Sequence, residues 1–343
     1  MMSTSTKKMT VASWQKIGAI DLITKDVPIV KPGEILVKVA ASGICGTDLH
    51  ISRGETPHAS KKVVIGHEFS GYVEEIHPET RTPIQVGDLV AVDPNIPCQQ
   101  CTFCRNDKYH LCIDLFCIGV TIDGGMSRYV SIPARAAITI PKHISPEVAA
   151  LAEPLSCVVH GVDQGKIKTG DQVLVIGSGP IGLMTIALAS LHGGHVTVIE
   201  PNEMRRQEAL SFGASDVYAP GHLPAVDGAA GEGYDVVFEC VGRPNTCEDA
   251  VNYAKAGGTI VWIGVNKVED RVPISPFDIY RKELTITSTY TNPFGIDRAV
   301  KILGSGKVDW NRLISHTFKI SEFDEAWQVF LKGTGLKIII KPE

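Results

Sequence analysis

The sequence predicts an α/β protein in two parts, a small barrel-like β domain and a doubly wound parallel sheet. Three observations carry this. At 343 residues the chain is about two domains long. Short apolar runs separated by turn signals fill much of residues 10–140, and such runs suggest a barrel-like β domain. From about residue 157 strand-like runs alternate with helical ones, the rhythm of a parallel sheet.

Composition narrows the function classes. Apolar residues at 44% and charged residues at 21% are those of an ordinary globular protein. A net charge of -5 argues against a broad nucleic-acid footprint. Met1 to Thr10 is rich in Ser, Thr and Lys and lacks an apolar core, so it reads as a frayed arm rather than a secretory signal. Its basic, Ser-rich character leaves organelle targeting as the alternative. From Gln172 to Ile199 there is no charged residue, which a hydropathy scan would flag as a membrane span. Glycines at 177, 179, 182, 193 and 194 punctuate it, so a buried strand, a turn and a core helix are expected, and no membrane. Nine cysteines with no secretory signal favour metal binding over disulfides and a reducing compartment, most simply the cytoplasm.

Residues 10 to 60 read as short strands. Glu34 to Val39 alternates after the turn Lys31-Pro32-Gly33. Then comes Cys45-Gly46-Thr47-Asp48-Leu49-His50. Val63 to Ile65 leads into Gly66-His67-Glu68, and Val86 to Val92 is a further strand. Together the two motifs offer a thiolate, an imidazole, carboxylates and a hydroxyl, the parts for a zinc ion with one position open. A lone Cys or His is more often a core residue; the two contexts together favour the metal.

Cys98, Cys101, Cys104 and Cys112 follow. Four thiolates at this spacing can close a tetrahedron around zinc and leave no position open, so a structural site is expected. It would pin a loop that has little core of its own. Cys117, Cys157, Cys240 and Cys247 carry no metal spacing and read as small core residues. Ser145-Pro146-Glu147 opens a helix, with Ser145 as its N-cap. Glu153, in Ala-Glu-Pro-Leu, is either a surface helix charge or a further carboxylate near the metal.

Asp171 to Ile176 is a buried strand, followed by Gly177-x-Gly179-x-x-Gly182 and a helical run to Leu191. A second strand, His195 to Ile199, ends in Glu200. In that setting the glycines are a dinucleotide fingerprint. The acidic residue can bind the ribose hydroxyls and repels a 2′-phosphate, so NAD is expected; Arg205 and Arg206 keep NADP as the alternative. Strands at 235–239, 258–263 and 284–290 continue the sheet, with a helix from Thr246 to Ala254. Helices at 296–303 and 323–331 and a strand at 337–340 are expected to return to the first domain.

These motifs resemble the zinc-dependent medium-chain dehydrogenases, most closely the polyol (sorbitol/arabinitol-type) branch. The resemblance covers nearly the whole chain: Cys-Gly-Thr-Asp-x-His, Gly-His-Glu-x-x-Gly, the four-cysteine loop, Glu-Pro-Leu, the glycine fingerprint and the ending Lys332-Gly-Thr-Gly-Leu-Lys-Ile. It implies a GroES-like catalytic domain at 1–156 and 292–343, a Rossmann domain at 157–291, and a homodimer or homotetramer. It implies a catalytic zinc on Cys45 and His67, with Glu68 as ligand or just behind one, and Glu153 in place of the Cys of simple alcohol dehydrogenases. Asp48 would orient His67, Thr47 would bond the substrate oxygen, and His50 would end a proton relay. The cofactor would lie along Gly177, Gly179, Pro180, Ile181, Gly182, Glu200, Arg205, Val241, Ile263 and Val265.

Two departures bear on substrate. Sorbitol dehydrogenases carry an aromatic where this chain has Ile51 and an Arg where it has Thr289. Both point away from sorbitol itself, and Cys-Gly-Thr-Asp-Leu-His is more similar to arabinitol-type and threonine dehydrogenases, so the resemblance implies oxidation of a polyol, a pentitol or hexitol such as D-arabinitol, to a ketose. A polyol phosphate or an L-threonine-type substrate is the alternative. The other readings are a zinc-independent reductase and an inactive binding protein on the same fold, both opposed by the intact ligand set.

Overall fold

The turn Lys31-Pro32-Gly33, with Gly33 at φ +86°, launches the strand Glu34–Gly43 around which the first unit is built. Ile35, Val37 and Val39 of this strand are buried against Phe69, Val73, Val90 and Ile132. It pairs antiparallel with Glu68–Ile76, with Tyr129–Pro133 and with Lys337–Lys341. The wider sheet runs Ile314–Lys319, Lys337–Lys341, Glu34–Gly43, Glu68–Ile76, Leu89–Val92 and Ala137–Thr139. Gly71 faces Val39 across the first of these pairings, and a Cβ there would lie 2.3 Å from the Lys38 carbonyl oxygen, so only glycine fits the ladder.

The computed structural model describes residues 7–224, 233–293 and 295–342. It divides into one unit of Met1–Pro154 with Ile296–Glu343 and another of Leu155–Gly295. Most of the proposed N-terminal arm lies outside the described residues; from Lys8 the chain is already the strand Lys8–Lys16. Two local expectations differ from the structure. Gly46–Ser52 is a helix inside the region read as strands, because the Asp48 carboxylate accepts the Cys45 N–H at 2.9 Å and caps it. Val63–Ile65 is not a named strand; Val64 makes only an isolated bridge to Ser13. Ser145 caps Pro146–Ala149 as expected, accepting the Val148 N–H at 3.3 Å.

The second unit holds a six-stranded, all-parallel sheet. Its spatial order is Asp216–Tyr218, His195–Ile199, Gln172–Ile176, Tyr234–Glu239, Ala254–Trp262 and Thr285–Ser288. Numbered along the chain this is 3-2-1-4-5-6, the doubly wound dinucleotide-binding order, with its switch point between Gln172–Ile176 and Tyr234–Glu239. The uncharged run resolves into a strand, the helix Pro180–Leu191 and a second strand. Among the described residues no helix is long and apolar enough to cross a membrane. Thr285–Ser288 ends the sheet as an edge strand.

Candidate active site

Cys45 is the N-cap of the helix Gly46–Ser52, and His67 and Glu68 open the strand Glu68–Ile76. Pairing of Gly43 with Glu68 across the sheet brings the two motifs together. Cys45 Sγ, a His67 ring nitrogen and a Glu68 carboxylate oxygen all lie within 4.8 Å of one another. His67 and Glu68 are buried. Thr47 Oγ1 is 3.7 Å from Cys45 Sγ.

The electrostatics are those of a metal-binding group. Burial works against a charged His67 ring, but Cys45, Asp48 and Glu153 outweigh it and hold its pKa well above the ordinary value. Burial lifts the Asp48 carboxyl above its usual range, against the pull of His67. Asp48 Oδ1 lies 3.8 Å from His67 Nδ1, beyond hydrogen-bond reach, and neither atom has a hydrogen-bond partner among the described residues. A partly exposed sulfur with buried nitrogen and oxygen donors in one group, with such orphaned polar atoms beside it, fits a zinc ion with an open position.

The two carboxylates are placed differently. Glu68 belongs to the three-donor group, and both its oxygens accept from Lys337 Nζ, at 2.6 and 2.9 Å. Glu153 lies in the first turn of the helix Ala152–Gly165, is 8% exposed and is outside the three-donor group. Burial pushes its carboxyl up to about 7, with His67 opposing and Glu68 and Asp93 adding to the rise. It is therefore a buried group and not a surface helix charge.

His50 sits in the last turn of the same short helix, its Nδ1 2.7 Å from Glu55 Oε2.

The four-cysteine loop forms a second donor group, all four sulfurs within 4.8 Å of one another. Cys98–Cys104 and Cys101–Cys112 are each 4.0 Å apart. A ZnS4 tetrahedron with bonds of about 2.3 Å has edges of about 3.8 Å, so the donor set fits zinc closely. Backbone N–H groups of Cys104 and Ile113 bring the Cys101 thiol down to about 6. Ile113 and Phe103 beside it are exposed, so the loop has little apolar core.

In the second unit Gly177 has φ +90°, and a Cβ there would meet Val241 at 2.6 Å. A Cβ on Gly182 would lie 1.9 Å from the Gly177 carbonyl oxygen, so strand, turn and helix pack only with glycine. Gly179 is the N-cap and Pro180 the first residue of the helix that also carries Ile181. Glu200 is buried, and its carboxylate accepts the N–H groups of Ser178 at 2.8 Å and Asn202 at 2.9 Å. Arg205 Nη1 would stand 4.0 Å from a Cβ on Gly179, beside the glycine turn. Arg206 is occupied with the carbonyls of Glu200 and Pro201, at 2.7 and 2.8 Å. Val241 and Ile263 follow the C-terminal ends of neighbouring strands, and Val265 is 72% exposed.

Sequence reasoning missed Lys337, Glu55 and Glu239. Lys337 was legible only as the start of an apolar strand. Glu239 is fully buried and accepts the N–H groups of Val241 and Gly242, at 2.8 and 2.9 Å, which fixes the turn at the switch point. Its sequence signal, an acid ending an apolar strand, is the same one that singled out Glu200.

The chain is similar to known proteins over nearly its whole length. The alcohol dehydrogenase GroES-like domain model matches residues 31–142, and the zinc-binding dehydrogenase model matches residues 180–300. D-arabinitol dehydrogenase 1 of Uromyces fabae is 34% identical, over 98% of this chain and 97% of its own. L-threonine 3-dehydrogenase of Pyrococcus horikoshii is 35% identical, over 93% of this chain and 94% of its own. A zinc-binding dehydrogenase from Sinorhizobium meliloti 1021, solved bound to NADP, superposes with a TM-score of 0.92 at 36% identity, covering 98% of this chain and 100% of that one.

Proposed function

Because this chain belongs to the zinc-dependent medium-chain alcohol dehydrogenase family, we propose that it oxidises a secondary alcohol of a polyol, a pentitol or hexitol, to a ketose with hydride transfer to NAD. Cys45 and His67 would hold the catalytic zinc together with Glu68 or Glu153, and Cys98, Cys101, Cys104 and Cys112 a structural zinc. The bound ion supplies a Lewis acid for the alcohol oxygen, and the nicotinamide receives the hydride. Thr47 would bond the substrate oxygen and relay its proton by handing on its own hydroxyl hydrogen, and His50 would end that relay by releasing a proton to water. The reducing compartment inferred from the cysteines suits this reading, since the four-cysteine group needs thiolates.

The observation that carries the polyol assignment is the burial of Glu153 within the electrostatic reach of His67. A substrate with adjacent hydroxyls offers one to the metal and one to this carboxylate. A simple primary alcohol offers only one. A lost hydrogen bond to a charged group costs about 1.5–3 kcal/mol, so ethanol should be at least about tenfold less efficient. The test is an NAD(P)-reduction screen over four- to six-carbon polyols, their phosphates, L-threonine and simple alcohols, repeated with Glu153→Ala. The variant should lose efficiency with the polyol far more than with ethanol. Ethanol turnover rivalling every polyol would overturn the assignment.

Two second readings have specific support. L-threonine also places a donor beside its hydroxyl, and a threonine dehydrogenase is among the relatives. NADP in place of NAD is supported by Arg205 beside the glycine turn and by the NADP-bound structural relative. NAD is preferred because the Glu200 carboxylate, fixed at the strand end, repels a 2′-phosphate.

A further inference from the structure

The helix Gly46–Ser52 ends in a Schellman motif. Glu55 N–H donates to the His50 carbonyl at 2.8 Å, and Gly54 N–H donates to the Ile51 carbonyl at 2.9 Å. Gly54 takes the left-handed conformation, φ +72°, and a Cβ there would meet the Ile17 side chain at 3.0 Å. Glycine is thus favoured by the backbone, and a larger residue would also have to push the exposed Ile17 side chain aside. The cap returns Glu55 onto the helix it has just left, so that its Oε2 lies 2.7 Å from His50 Nδ1. Both side chains are 28% exposed. The same seven-residue helix starts at Cys45 and carries Thr47, so the metal donor, the hydroxyl and the imidazole share one rigid element.

An ionised carboxylate only accepts hydrogen bonds, so the short contact puts a hydrogen on His50 Nδ1 and leaves Nε2 as the acceptor. We propose that Glu55 is a positioning residue that holds His50 in the Nδ1–H tautomer and aims Nε2 as acceptor for the proton released in alcohol oxidation. The inference rests on the dehydrogenase reading. The reaction balances as follows: the C–H bond gives its hydrogen and electron pair to the nicotinamide, and the O–H bond gives its proton to the protein. That proton arrives at Nε2 while the hydrogen on Nδ1 stays bonded to the Glu55 carboxylate, and the partly exposed ring returns a proton to water.

The test joins spectroscopy to kinetics. In the full-length protein with 15N-labelled histidine, the His50 signals are assigned by their loss in His50→Asn. The wild type should show the Nδ1–H tautomer; Glu55→Ala should convert His50 to a tautomer mixture, and Glu55→Gln, which keeps the side-chain shape, guards against simple misfolding. With the best polyol, Glu55→Ala should lower kcat about tenfold, the scale of lost outer-shell partners, with KM little changed and partial rescue in Glu55→Asp. An unchanged tautomer in Glu55→Ala, or a raised KM at constant kcat, would overturn the inference. Should the wild type oxidise none of the alcohols, the dehydrogenase reading fails, and the tautomer measurement still decides the role of Glu55.

Discussion

Lys337 Nζ meets both carboxylate oxygens of Glu68, at 2.6 and 2.9 Å, across the missing side chain of Gly43. The two residues are 269 positions apart in sequence and lie on strands that flank Glu34–Gly43 on either side. A Cβ on Gly43 would lie 2.4 Å from Glu68 Oε2 and 3.3 Å from Lys337 Cδ. Burial disfavours the charged ammonium, but Glu68 and Cys45 more than compensate and raise its pKa. The strand Lys337–Lys341 therefore closes the candidate metal centre electrostatically as well as by packing.

Removing one partner of this buried pair strands the other. Lys337→Met should destabilise the protein by about 3–5 kcal/mol, and adding Glu68→Gln should recover part of the loss. Denaturant unfolding of the two variants and the wild type measures both effects. Equal stability of Lys337→Met and wild type would show that the pair contributes nothing.

The four-cysteine loop should be structural. Cys101→Ser should remove about one zinc per chain and lower the unfolding midpoint, because a closed site needs its full ligand set. The remaining folded protein should keep its catalytic metal. Metal analysis and thermal unfolding check this, and unchanged zinc with unchanged stability would refute it.

Glu200 should set the cofactor. Glu200→Ser with Arg205 retained should weaken NAD and favour NADP, a shift on the order of 1–3 kcal/mol. Because Glu200 also accepts the Ser178 and Asn202 N–H groups, some loss of stability should accompany the change. Ratios of kcat/KM for the two cofactors decide it; a wild type that already prefers NADP would show the reading to be wrong.

The edge strand Thr285–Ser288 should pair with its copy about a two-fold axis, which would satisfy the exposed ladder. Exposed Phe277 and Tyr280 on the preceding helix extend the apolar surface near it. Light scattering at micromolar concentration should give a dimer or tetramer, and a strict monomer would contradict this.

Much of this was legible in the sequence because it depends on local pattern. The glycine fingerprint states its own geometry, since Gly177 and Gly182 sit where any Cβ would collide. The four cysteines lie within one short loop, so their spacing suffices to bring the sulfurs together. The alternating strands and helices after residue 157 could form little else than a parallel sheet.

What the sequence by itself determined is therefore the two-part α/β class, the dinucleotide fingerprint, the four-thiolate group and the donors near Cys45 and His67. Only the tertiary structure decided that Glu68 is held by Lys337, that Glu153 is buried and not on the surface, and that Glu55 turns back onto His50. The physical reason is that such contacts depend on strand register and on a helix cap. Register brings residues hundreds of positions apart into one ion pair, and a single left-handed glycine redirects the chain. Neither leaves a periodic trace in the residues it brings together.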